Sequence, residues 1–292
     1  MREFDGYNPI SVFIYFAAAA ILPMFFLHPL TAALMLSGGV GFFFAVGGWK
    51  SVKSNLFFMG LGLAGAFVNP LFNHNGATTL FVLNDNPVTL EAFWYGLASS
   101  ALIIGGIFWF RAFSTIMTSD KLLYLLGTFS PKTALILSMA LRYIPLFALQ
   151  AEKTADAQKA LGLSGDGSVP ERLRSGIRVF SVMVTWTLEN GIVTADSMEA
   201  RGYGSGKRTF FSIYRFHRRD YLLVGTTAAL FAVFAFCLAS GAFEFSFYPY
   251  TDALTYDWKL VAGTAAYGLL AFLPVIIKGG EAAKWRYLRS EI

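Results

Sequence analysis

Long apolar runs separated by short polar segments occupy most of the chain, and six of the runs are long enough to cross a membrane. A transmembrane helix needs roughly 20 mostly apolar residues to cover about 30 Å of hydrocarbon. The interiors of the six runs contain no Asp, Glu or Arg, and the one Lys lies next to a run's first residue. The pattern predicts an all-α integral membrane protein with about six transmembrane helices. The predicted spans are Ile10–Leu27, Pro29–Gly48, Asn55–Phe72, Glu91–Phe110, Tyr221–Phe243 and Trp258–Ile277.

Residues 111–220 break this pattern, because they are too charged to form spans and too apolar to form an ordinary loop. Three helices are predicted there. A short one covers about 119–130 and stops at a Ser-Pro step, and a long one covers about 132–163. Pro145 lies inside the long helix and is expected to kink it, because proline cannot donate a backbone hydrogen bond.

The third predicted helix begins at the sequence SVPE and ends before Gly202. Ser168 is the expected N-cap, and Glu171 is the expected acid of a capping box. Gly202 is expected in the left-handed conformation that commonly closes a helix. The two long helices, each roughly 30 residues or about 45 Å, are expected to lie along the inner membrane face. Their apolar sides would face lipid or another membrane protein; packing only on the chain's own spans is the alternative.

The distribution of charge predicts the orientation of the chain in the membrane. The turn at His28 and the segments 73–90 and 244–257 contain none of the 23 Lys and Arg residues, and only Lys259 lies on that side. Cytoplasmic loops carry the excess of positive charge. Both termini are therefore predicted to be cytoplasmic in a multi-pass protein of the cell (inner) membrane.

Composition excludes several other classes of protein. The chain is 55% hydrophobic and 14% charged, against about 25% charged residues in a soluble domain. The net charge of +5 is attributed to cytoplasmic loops, so no nucleic-acid partner is expected. Cys237 is the single cysteine, which excludes an intrachain disulfide.

The sequence lacks the residue patterns of an energy source or a catalytic centre. GYGSGKRT resembles a phosphate-binding loop, but Arg201 stands where that motif needs its first glycine, and Arg208 where it needs Ser or Thr. The three histidines are isolated, so no metal site is predicted. No acidic residue lies deep in a span, unlike in most ion-coupled transporters. Sodium can also be bound by backbone carbonyl groups, so an ion-coupled transporter remains an alternative.

Two similar segments end the two long helices. AQKALGLSGDG at 157–167 and the stretch starting at Ser197 both place a small residue and a glycine at the helix end. The first tip is Ala160-Leu161-Gly162 and the second is Ala200-Arg201-Gly202. A pair of similar tips suggests a pair of similar sockets on partner proteins. An ordinary solvated cation at a helix end is the alternative role for Arg201.

Together, LRYIPLF, AEKTADAQKALG, RLRSGIR and ADSMEARGYGSGKRT resemble the transmembrane T component of energy-coupling factor (ECF) transporters, the family that includes CbiQ. The resemblance covers about residues 111–215. It implies a coupling subunit of an ABC importer for a vitamin or metal ion, which joins two cytosolic ABC-type ATPases to a small membrane substrate-binding subunit, the S component. ATP and Mg²⁺ would bind to the ATPases, so this chain would need no cofactor and would not itself be an enzyme.

The resemblance also assigns roles to particular residues. Both tips would dock into grooves on the ATPases, although Leu161 departs from the family's Ala-Arg-Gly pattern. The apolar faces of the two long helices, rather than the resemblance, suggest Pro145, Met183 and Trp186 as the contacts for the S component.

The domain division expected on this basis has three parts. Residues 1–110 form four spans, 111–220 form the cytoplasmic coupling domain, and 221–292 form two spans and a cytoplasmic tail. A self-sufficient transporter or substrate-binding subunit working without ATPases is the alternative function, and a membrane enzyme is a third.

Overall fold

The computed structural model describes residues 6–47, 52–83, 86–163, 167–206, 214–252 and 257–290, and these form two compact units. One unit is built from residues 1–121 and 214–292, and the other from residues 122–213. The first contains α1 (Pro9–Phe25), α2 (Pro29–Ala45), α3 (Val52–Phe72), β1 (Thr79–Leu83), β2 (Asn86–Thr89), α4 (Leu90–Ile116), α8 (Arg218–Ala239) and α9 (Trp258–Ser290). Three more helices lie between α4 and α8 in the sequence, namely α5 (Ser119–Phe129), α6 (Pro131–Ala160) and α7 (Val169–Ala200).

The core of the first unit lies where α2 packs against α4 and α9. Buried polar groups in this core reach backbone carbonyls: Trp109 Nε1 donates to Met35 O at 3.1 Å, and Tyr15 Oη to Leu270 O at 2.9 Å. Tyr267 Oη donates to Ala19 O at 3.2 Å, inside the π-helical turn of α1. These bonds matter because an unsatisfied polar group in hydrocarbon costs several kcal/mol.

Glycines allow the central helices to approach closely. A Cβ on Gly105 would lie 3.0 Å from Leu36 N, and one on Gly38 would lie 2.8 Å from Ala271 Cβ. Small residues at such contacts are typical of helix packing in membranes. The two glycines therefore explain why α2 can contact α4 and α9 at the same time.

Four of the six predicted spans are confirmed as helices of sufficient length and apolar composition, namely α3, α4, α8 and α9. The first two predicted spans form the shorter apolar helices α1 and α2. Within the described residues α6 is a fifth helix that meets the criterion for a span, although the sequence assigned it to the cytoplasmic domain. The first half of α6 carries two cations, Lys132 and Arg142, but no acid, and its acidic residues begin at Glu152, which explains why both assignments fit it.

The helix that contains the fourth predicted span continues beyond Phe110 to Ile116. Arg111 does not end the helix: its guanidinium lies 4.3 Å from the ring centre of Phe43 and donates to Asn55 Oδ1 at 2.7 Å. Aromatic faces and an amide oxygen therefore accommodate the charge within the helix.

A short antiparallel hairpin, β1 and β2, precedes α4 and was not predicted. The Glu91 carboxylate secures the chain beside it by accepting hydrogen bonds from the backbone N–H and the hydroxyl of Thr78. Ala77 N–H donates to Pro249 O at 3.0 Å, which ties this hairpin segment to the loop after α8. These contacts hold the hairpin segment and the loop after α8 in place, although neither has an apolar periodicity that would predict a helix.

In the second unit α6 and α7 form an antiparallel pair. Tyr143 and Thr194 share a hydrogen bond of 2.9 Å between their hydroxyl oxygens, and the ring of Phe147 meets that of Trp186 edge-on, with centroids 5.7 Å apart. Residue numbers thus rise along α6 as they fall along α7. The C-terminal ends of the two helices consequently lie at opposite ends of the pair.

The sequence predicted the local structure of this unit closely. The capping box of Ser168 and Glu171 is confirmed, with Ser168 N–H donating to Glu171 Oε2 at 3.0 Å. The helix containing Pro145 is continuous over Pro131–Ala160, and the expected kink remains a prediction.

Candidate functional site

The first tip, residues 160–162, closes α6 with the hydrogen bonds of a Schellman motif. Leu163 N–H donates to Gln158 O at 2.9 Å, and Gly162 has a φ of +71°. Leu161 is the last residue before the reversal and its side chain is 74% exposed. The tip therefore presents an exposed apolar side chain on a tightly closed helix end.

The second tip, residues 200–202, has the same backbone geometry at the end of α7. Tyr203 N–H donates to Met198 O at 3.0 Å, and Gly202 has a φ of +75°. The prediction of a left-handed glycine at this position is confirmed. Arg201 occupies the position of Leu161 and its side chain is exposed, so the two tips differ in chemistry but not in backbone.

The two tips are far apart. Arg178 Nη2 donates to Leu163 O at 2.6 Å, which places the first tip beside the third turn of α7. Roughly 24 residues, or about 36 Å of helix, separate Arg178 from Gly202. A single small socket could not accept both tips.

The electrostatic setting differs between the tips. Lys159 lies 3.5 Å from Asp156 beside the first tip, and both side chains are largely exposed, so the pair contributes little to stability. At the second tip the positive guanidinium of Arg201 lies at the C-terminal, negative end of a long helix dipole, which favours a cation. The segment 207–213, which completes the motif after Gly206, lies outside the described residues.

A continuous apolar stripe runs along α7. Its members recur every three or four residues, so they share one face of the helix. All six side chains are exposed within the unit. We call the set Leu173, Ile177, Phe180, Val184, Leu188 and Ile192 the α7 stripe.

The three predicted S-component contacts differ in their exposure to solvent. Pro145 is exposed, whereas Met183 and Trp186 are half-buried. Trp186 packs against Phe147 of α6, on the side of α7 opposite the middle of the α7 stripe. The sequence reasoning missed the stripe, although its spacing of three and four residues was a readable signal.

Comparison with known proteins identifies the family. The family model for the CbiQ cobalt transport protein matches residues 6–210. The chain is 34% identical over 94 residues to an energy-coupling factor transporter transmembrane protein, EcfT, of Lacticaseibacillus paracasei, covering 32% of this chain and 36% of that protein. It is 31% identical over 144 residues to an EcfT of Listeria monocytogenes, covering 42% of this chain and 54% of that protein.

A third similarity is to a putative ABC transporter ATP-binding protein of Bifidobacterium longum, with 26% identity over 214 residues, 70% of this chain and 24% of that protein. The matched segment thus spans about a third to a half of the first two relatives' length. The family model, in contrast, covers most of the chain and includes both tips. The chain therefore belongs to the CbiQ/EcfT family, the transmembrane components of energy-coupling factor transporters.

Proposed function

We propose that this chain transmits motion from two cytosolic ABC-type ATPases to a membrane S component, for the uptake of a vitamin or metal ion. The observation that carries the proposal is the pair of helix ends with one backbone geometry, about 36 Å apart along α7. Two equivalent ends at that separation suit two copies of one kind of socket, as a pair of ATPases would offer. ATP and Mg²⁺ would bind to those partners.

The tips are the proposed contacts with the ATPases. Ala160 and Ala200 keep the helix ends thin, and the glycines turn the chain away immediately afterwards. Arg201 offers a planar set of donors that matches a carboxylate on a partner. Leu161 offers apolar area only, so the two contacts would differ in charge dependence.

The test is purification of the chain in mild detergent after co-expression with candidate ATPases and S components. We expect two ATPase chains and one small membrane subunit to accompany each copy, and ATP hydrolysis to require the ATPases. Substrate transport by this chain alone in liposomes would support the self-sufficient transporter instead, and would refute the proposal.

The α7 stripe, together with Pro145 and Met183, is the proposed surface for the S component. Phe180→Asp should lower recovery of the S component while ATPase recovery stays unchanged. Val193→Asp is the matched control, because Val193 is also exposed but lies on the opposite side of α7 from the stripe. Trp186→Asp is a less specific test, since it would also disturb the contact with Phe147. Loss of ATPases from Phe180→Asp would contradict this assignment of faces.

The proposed orientation places both termini and residues 122–213 in the cytoplasm. A cysteine introduced at Thr251 should react with a membrane-impermeant thiol reagent in intact cells, whereas one at Ser205 should react only after lysis. The native Cys237 is buried and should give little background. Labelling at Ser205 in sealed cells would show that the proposed orientation is reversed.

A further inference from the structure

A cavity of about 490 Å³ lies at the start of α8, and its wall is formed by Gly6, Tyr7 and residues 217–220. This volume is within the range of small-molecule sites, roughly 300–1,000 Å³. Because α8 is long and apolar enough to span a membrane, its first turn lies where the hydrocarbon meets the headgroups. The cavity is therefore positioned to meet a lipid headgroup.

The cavity wall carries a net positive charge. Arg218 and Arg219 are exposed, and guanidinium groups match the geometry of phosphate oxygens. Among the described residues that line the cavity the one acid is Asp220, which is 1% exposed. Its Oδ1 accepts from Asn8 N–H at 2.7 Å and its Oδ2 from His217 N–H at 2.8 Å. The carboxylate thus holds the wall together while the two cations remain at the surface.

A buried donor beside the wall also lacks a partner. Asn8 is 2% exposed and its Oδ1 accepts from Ile10 N–H at 3.0 Å. Among the described residues its Nδ2 has no hydrogen-bond partner. Asn8 adjoins Tyr7 and bonds to Asp220, which both line the cavity. Asn8 itself does not line the cavity; it joins the two parts of the wall through its backbone hydrogen bond to Asp220.

The surroundings of the cavity suit the rest of a lipid molecule. Phe216 and Tyr221 are exposed and their ring centroids lie 5.5 Å apart, and tyrosine is enriched at the membrane–water interface. Leu222 lies one turn after Arg218 on the same face of α8, and Val233 and Phe236 continue that face toward the other end. All three apolar side chains are exposed. This face offers a path for acyl chains below the cationic cavity.

We propose that this cavity binds the phosphodiester headgroup of an anionic phospholipid, with its acyl chains along α8. A free inorganic phosphate shares the headgroup chemistry, but it would leave the apolar face of α8 uncovered. In the proposed orientation the site lies at the cytoplasmic leaflet. Lipid binding at this site does not require that the chain act as a coupling subunit. Under the orientation proposed above, the lipid would anchor the residues just before α1 and α8.

The test is native mass spectrometry of the full chain in mild detergent, titrated with phosphatidylglycerol, phosphatidylcholine or inorganic phosphate. Wild type should retain phosphatidylglycerol in preference to phosphatidylcholine. Since each Arg near an anionic surface contributes about 1 kcal/mol, R218Q/R219Q should bind phosphatidylglycerol about thirtyfold more weakly. K153Q/K159Q is the control with the same change of charge, at exposed positions of α6.

Gly6→Glu provides a second variant if R218Q/R219Q fails to fold. A Cβ on Gly6 would meet nothing within 4 Å, so the change adds a carboxylate at the cavity wall without a clash and should weaken phosphatidylglycerol binding. Equal phosphatidylglycerol retention by the wild type and both site variants would overturn the proposal. Equal retention of the two lipids would also overturn it, and displacement of phosphatidylglycerol by equimolar inorganic phosphate would assign the site to the free anion.

Discussion

Replacing Gly202 by alanine should open the end of α7, because the backbone there has a φ of +75°. An L-residue with a side chain costs about 1–2 kcal/mol in the left-handed conformation. The nearest atom to an added Cβ is Ser205 Oγ at 3.1 Å, and that hydroxyl can rotate away. The cost is therefore conformational, and it should raise the open fraction of the tip about five- to thirtyfold.

The chain offers an internal control and a repeat of the same substitution. Gly191 lies in the interior of α7, and a Cβ there would meet nothing within 4 Å. Gly191→Ala should instead stabilise the helix by about 0.5–1 kcal/mol. Gly162 has a φ of +71° and open space around it, so Gly162→Ala should repeat the loss at the first tip.

Hydrogen exchange measured by mass spectrometry on the full chain reads this effect directly. The N–H of Tyr203 is bonded to Met198 O only while the tip is closed, so its exchange should accelerate five- to thirtyfold in Gly202→Ala and not in Gly191→Ala. Recovery of ATPases should fall in parallel if the closed tip is the docking form. Unchanged exchange in Gly202→Ala, or equal acceleration in Gly191→Ala, would refute the reasoning.

Three further tests concern the charge at the second tip, a histidine that caps a helix, and a charge within a helix. Arg201→Ala should reduce ATPase recovery and substrate uptake more than Leu161→Ala, because breaking a desolvated charge pair costs about 2–5 kcal/mol and full burial of a leucine contributes roughly 1.5–3 kcal/mol; equal, small losses would make both tips ordinary helix ends. Burial lowers the pKa of His28 below its ordinary 6.5, and its Nδ1 caps α2 by accepting from Leu30 N–H. Melting in detergent should therefore show stability falling as the pH drops below about 6.5, and His28→Asn, which keeps a cap, should remove that dependence; an identical pH profile in both proteins would contradict it. Arg111→Met should lower stability by about 2–4 kcal/mol through lost ring and hydrogen-bond contacts, and an unchanged melting temperature would show that these contacts contribute nothing.

Local signals in the sequence predicted the helix boundaries of the second unit. The capping box at Ser168 and the glycine at 202 each act within one helical turn, through hydrogen bonds to residues three to five positions away. The Ser-Pro step at 130 works over the same range. Such features need no tertiary partner, so the sequence contains all the information that determines them.

The extent of α4 depended on residues distant in sequence. An arginine after a long apolar run indicates the end of a span when only neighbours in sequence are considered. In the folded chain Arg111 meets Phe43 of α2 and Asn55 of α3, and the helix continues. No feature near residue 111 identifies those partners.

Some features of the candidate site were likewise determined by the sequence, and others only by the tertiary structure. The sequence alone determined the class of protein, the family motifs and the residues of both tips, because these follow from composition and from short-range spacing. Only the tertiary structure decided that α6 and α7 run in opposite directions, which separates the tips, and that Trp186 faces Phe147 while Phe180 remains exposed. The physical reason is that a helix end is closed by its own neighbours in sequence, whereas the face that a helix buries is chosen by the helix that packs against it.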